Sequence, residues 1–142
     1  MAYSYKTSQF TPKRPVHSFR DLEVYQRTLE ASVVIVKDLK GKLTKLRYPF
    51  LEHMINAAMS IPLWLGEAHS IRFGNHATGI LLLERAMAGC NKLVIYLEQI
   101  RGIYGSKLDF DLIESLIKKY AETRGKIFRL EKAWQKFEPP KR

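Results

Sequence analysis

Cysteine is nearly absent from this 142-residue chain: Cys90 is the single one. One thiol rules out an intrachain disulfide framework and any zinc site built on several cysteines. Its neighbours are small and apolar, which predicts a buried, inert thiol. Long apolar runs are absent too. The longest uncharged stretch in the middle of the chain lies between Glu52 and Glu67 and contains Pro62. It is shorter than the roughly 20 apolar residues a membrane-spanning helix needs, so no membrane partner is expected. Residues 1–18 are polar and basic without an apolar segment, the pattern expected of a cytoplasmic protein rather than a secreted one. Acidic residues are scarce relative to basic ones, 14 against 24, leaving a net charge of +10. Such an excess favours a polyanionic partner: nucleic acid, an acidic protein or anionic lipid.

Several catalytic signatures are also missing. No Glu is followed three residues later by His, as a di-iron bundle requires. His17, His53, His69 and His76 show no metal-ligand spacing. There is no phosphate-binding glycine loop, nucleophile elbow or zinc-protease helix. No catalytic residue, metal or cofactor is therefore expected. Arg72 and His76 have three residues between them, where the helical-bundle ribonucleases of the HEPN superfamily carry four to six, and they straddle the Gly74-Asn75 turn. That segment is read as a basic turn.

What is present is helical periodicity. After an expected flexible basic arm (1–17), Ser18 and Asp21 resemble a capping box. Leu22, Tyr25, Leu29, Val33, Val36 and Leu39 mark the apolar face of a first helix that Gly41 should end. A second helix starts near Pro49, with Leu51, Ile55, Ala58, Pro62, Leu65, His69 and Phe73 on its stripe. A proline in that interior lacks an N–H and clashes with the preceding turn, which predicts a kink. Small residues before Pro62 and bulky ones after it predict the close approach of another helix. A third helix spans about 76–101, with Leu83, Met87, Cys90, Val94 and Leu97 inward. Asp109 should cap a fourth, with Ile113, Leu116, Tyr120, Thr123, Ile127, Leu130, Trp134 and Phe137 inward, before a short basic tail at 139–142. The expected fold is all-α: an antiparallel up-down-up-down four-helix bundle over residues 18–138, with a proline-kinked second helix.

Residues 33–36, 80–83 and 93–97 are apolar around the whole helix, more than one bundle core needs. This predicts a homo-oligomer. The charge is uneven as well, since residues 118–142 hold nine basic and three acidic side chains. Lys118, Lys126, Arg129, Lys132 and Lys136 are expected on the outer face of the fourth helix, with Arg14, Arg20 and Arg72 at the same pole. Residues 41–49 make a smaller basic patch at the other. These eight side chains are the predicted nucleic-acid-binding residues, acting by neutralising phosphates rather than reading bases.

Phe19-Arg20-Asp21-Leu22-Glu23-Val24-Tyr25-Gln26, followed by Ala57-Ala58-Met59-Ser60-Ile61-Pro62 and Gly66-Glu67, resembles the bacterial four-helix-bundle family first described as proteins encoded in intervening sequences of 23S rRNA genes. The resemblance covers about residues 19 to 137. Family members commonly continue Ser-Ile-Pro with Ser-Asn-Ile-Ala-Glu-Gly, where this chain has Leu63-Trp64-Leu65-Gly66-Glu67-Ala68, so it resembles a divergent branch. The same superfamily includes the accessory variability determinants of diversity-generating retroelements. That resemblance implies a homopentameric barrel that binds RNA or DNA and a reverse transcriptase. The expected function is a non-enzymatic, basic, oligomeric nucleic-acid-binding accessory protein. The alternatives are a scaffold for an acidic protein partner and a helical-bundle ribonuclease.

Overall fold

The computed structural model describes residues 16–137. Nearly all of the predicted arm, Arg14 with it, and the tail at 139–142 lie outside the described residues. The described residues form four long helices and no strand.

The entry to α1 follows from its polar residues. The Ser18 hydroxyl accepts from the Arg20 N–H at 3.2 Å, and an Asp21 carboxylate oxygen accepts from the Ser18 N–H at 3.2 Å. This box caps a 3₁₀ turn, Phe19–Asp21, one step before the helix proper. Helix α1 then runs through three continuous stretches: α-helical Glu23–Val34, a π-helical turn at Ile35–Leu39, and α-helical Lys40–Leu46. In the π turn the Lys40 N–H donates to the Ile35 carbonyl, five residues back.

Helix α1 departs from the sequence expectation in two ways. Gly41 does not end it; the helix runs to Leu46 and stops where Arg47 takes a left-handed conformation (φ 62°). An interior glycine costs about 1 kcal/mol against alanine, and full burial of Leu39 and Leu43 on either side outweighs that. The buried stripe is also rotated from the predicted one. It consists of Val24, Thr28, Ala31, Ser32, Ile35, Leu39 and Leu43, while Val33 is exposed. Two polar residues can line this stripe because their hydroxyls donate to carbonyls of their own helix: Thr28 to Val24 at 2.9 Å and Ser32 to Leu29 at 2.7 Å.

Helix α2 spans Leu51–Ile71 and contains Pro62, which is buried. Helix α3 spans His76–Tyr104, its first turn capped by the Asn75 side chain, which accepts from the Thr78 N–H at 3.2 Å. It runs through Gly102, past the expected end near residue 101. A 3₁₀ turn, Gly105–Lys107, leads to α4, Phe110–Lys136. Asp109 caps α4 as expected, accepting from the Leu112 N–H at 3.1 Å.

Helix α1 packs chiefly on α2 and α4, and α3 on the same two. Met54, Ala58, Ile61 and Leu65 meet Leu83, Leu93, Leu97, Ile113 and Tyr120 in one core. Cys90 is fully buried there, and burial pushes its thiol up to about 12, so it stays protonated as expected. The close approach of α2 and α3 falls at Gly89. A Cβ there would sit 2.8 Å from Ile61 Cγ1, closer than atoms pack, and 3.2 Å from the Trp64 ring, a tight contact.

Candidate nucleic-acid interface

The helical repeat sorts the cations of α4. Lys118 and Lys136 lie 18 residues apart, five turns of 3.6, so they share one line about 27 Å long. Arg129 and Lys132 fall close to that line, and all four side chains are exposed. None of the four makes an ion pair among the described residues. The Lys132 ammonium stands 5.1 Å from the Phe128 ring centre. Like charges three and four residues apart repel by a few tenths of a kcal/mol per pair.

Lys126, expected on the same face, sits elsewhere. It leans toward α1, where its ammonium lies 3.4 Å from a Glu23 carboxylate oxygen. Lys119, one position beyond Lys118, pairs with Glu30 of α1. The free line is therefore narrower than the predicted one, and its limit is set by the acidic residues of α1.

Arg20 is exposed on the 3₁₀ turn, which packs at α2 through the Phe19 ring over Gly66. Arg72 closes α2. One of its terminal nitrogens donates to the His69 carbonyl, and its guanidinium lies 4.2 Å from the Phe73 ring centre and 5.9 Å from that of Trp134. Burial lowers the Arg72 pKa, but a guanidinium stays charged. His69, buried beneath it, is held below the usual imidazole range by burial and by Arg72, with Asp21 opposing. Its Nε2 has no hydrogen-bond partner among the described residues. Arg14 lies outside the described residues. Lys42, Lys45 and Arg47 are exposed in the 41–49 segment.

The sequence reading missed what surrounds Arg72. Phe73 and Phe137, placed on inward stripes, are 80% and 81% exposed. With Arg72, His76 and Trp134 they line a cavity of 220 Å³. Phe73 lies two residues past the end of α2 and Phe137 one past the end of α4, so the stripe no longer controls where either points. Aromatic residues beside basic ones at the ends of two helices were the available signal.

Glu131 was also unforeseen. It is buried on the side of α4 that meets Glu84 of α3. Burial and the hydrogen bond with Glu84 raise its pKa, while Lys132 opposes the shift. Among the described residues no group of three His, Cys, Asp or Glu could hold a metal ion, and no helix is long and apolar enough to cross a membrane.

No protein-family model, curated protein or solved structure matches this chain.

Proposed function

We propose that this chain is a non-enzymatic nucleic-acid-binding accessory protein, built as an antiparallel up-down-up-down bundle and working as a homo-oligomer. The observation that carries the binding reading is the line of four exposed cations on α4 that make no ion pair among the described residues. Phosphates placed along it would turn mutual repulsion into attraction and release counterions on binding. The antiparallel reading is supported by the α1–α4 pairs: Glu23 with Lys126, Arg27 with Glu122 and Glu30 with Lys119, rising in one helix and falling in the other. Oligomerisation is supported by large apolar side chains left in the open, Leu63 (71% exposed) on α2 and Leu81 (61%) on α3. A reverse-transcriptase partner and a subunit number of five rest on the family resemblance alone.

The test is a gel-shift titration of RNA and DNA against salt. Changing Lys118, Arg129, Lys132 and Lys136 together to Glu is expected to abolish binding at near-physiological salt. It should also lower the slope of log K against log salt by about 3 to 4. Unchanged affinity at low salt would remove the assignment; absence of binding by the unaltered protein would favour the acidic-protein scaffold. Light scattering is expected to give a mass well above the 16.5 kDa of one chain.

One observation favours a second reading, the ribonuclease: Arg72 and His76 share the wall of one cavity. Labelled RNA incubated with the unaltered protein and with His76→Ala tests it. Cleavage lost in the variant supports the reading, and equal absence of cleavage ends it.

A further inference from the structure

We infer that the cavity beside Arg72 takes one unpaired nucleobase, so that the protein prefers single-stranded nucleic acid over duplex. The inference rests on the nucleic-acid reading above and specifies the form of ligand.

Three observations converge. The first is the wall. Phe73, Phe137 and the half-buried Trp134 bring three aromatic rings to one 220 Å³ cavity, and two of them are about four-fifths exposed. Large apolar rings clustered in solvent mark an interaction site rather than a packing surplus. The second is size. Drug-sized sites span about 300–1,000 Å³. This cavity is smaller and admits one flat ring, with the rest of the ligand outside. The third is charge. The guanidinium of Arg72 lies against both Phe73 and Trp134. One terminal nitrogen is engaged by the His69 carbonyl, and the other donors of its fork can reach a phosphate.

Position joins these to the cation line. Phe137 follows Lys136 directly, and Lys132 lies about one turn before Lys136. A strand whose phosphates follow Lys118 to Lys136 arrives at the cavity with its next base free to turn in. Stacking on aromatic side chains is tolerant of base identity and is a common device of single-strand binders. In a duplex the bases are stacked on one another, and none is available to enter.

The experiment compares the unaltered protein with the Phe73→Ala/Phe137→Ala double variant. The probes are a single-stranded oligonucleotide and a matched duplex, each of about 12 units. Both replaced rings are exposed, and circular dichroism checks that the fold is kept. The unaltered protein is expected to bind the single strand more tightly. The double variant is expected to lose about tenfold or more in single-strand affinity while its duplex affinity stays within about twofold. In a Trp64→Phe background the single strand, but not the duplex, should quench Trp134 fluorescence. Equal loss on both probes, no loss on either, or no strand preference in the unaltered protein would overturn the inference while leaving the charge reading intact. A protein that binds neither probe would remove both, and the Glu variants of the cation line tell these failures apart. They should weaken both probes when the charge reading holds.

Discussion

Two seams of the bundle are built from opposite materials. Between α1 and α4 the contacts are polar. Arg27 donates to the Thr123 hydroxyl at 2.8 Å and to Glu122 at 3.1 Å, while Glu23 meets Lys126 and Glu30 meets Lys119. Between α2 and α3 the contact is steric, with Ile61 and Trp64 seated over Gly89 and the Arg85 guanidinium 5.7 Å from the Trp64 ring centre. The first seam is made of many small, salt-sensitive terms. The second depends on one missing side chain. The polar seam also sorts charge: cations of α4 that lean toward α1 are neutralised there, and those that lean away remain available to a ligand.

The largest expected effect lies in the steric seam. Ile61→Ala should destabilise the fold by about 3 kcal/mol by opening a cavity, and Gly89→Leu by about 2 kcal/mol through overpacking. Denaturant unfolding of the double variant should show a loss smaller than the sum, because the two residues fill one space. Additive losses would mean that the helices do not meet there. Next comes the polar seam. Arg27→Ala should cost about 1 kcal/mol, since Thr123 keeps its own bond to the Lys119 carbonyl. That loss should shrink in high salt, whereas the Gly89→Leu loss should not.

The smallest effect concerns the seam between α3 and α4. Glu131 holds its proton more tightly in the folded chain than in the unfolded one, so its contribution to stability falls as pH rises above the ordinary carboxylate range. Glu131→Gln should therefore raise Tm at about pH 8 and leave it nearly unchanged at about pH 4. A Tm raised equally at both would assign the effect to packing instead.

Four helices and most of their ends were legible in the sequence because polarity repeats at 3.6 residues and Ser18 and Asp109 are strong caps. The face of α1 was not. The predicted stripe followed the large apolar residues, whereas Thr28 and Ser32 enter the core by donating to their own helix. The stop at Gly41 failed for a related reason. Glycine permits a helix end, but buried neighbours decide whether one occurs. On α4 the spacing of the cations was legible, and their partners were not, because Glu23 and Glu30 are about 90 to 100 residues away in the chain. Phe73 and Phe137 fitted periodic patterns that stop applying where the helices end, at Ile71 and Lys136.

The π turn at Ile35–Leu39 has a consequence for chain length. A ring closed over five residues instead of four holds one residue more than the helix path requires. The core counts positions along α1, and by that count one of the five is a spare. Deleting a single residue within 35–39 should let the turn close as ordinary α-helix with Val24 and Leu43 still facing inward, whereas the same deletion a turn earlier or later would swing one half of the helix by about 100°.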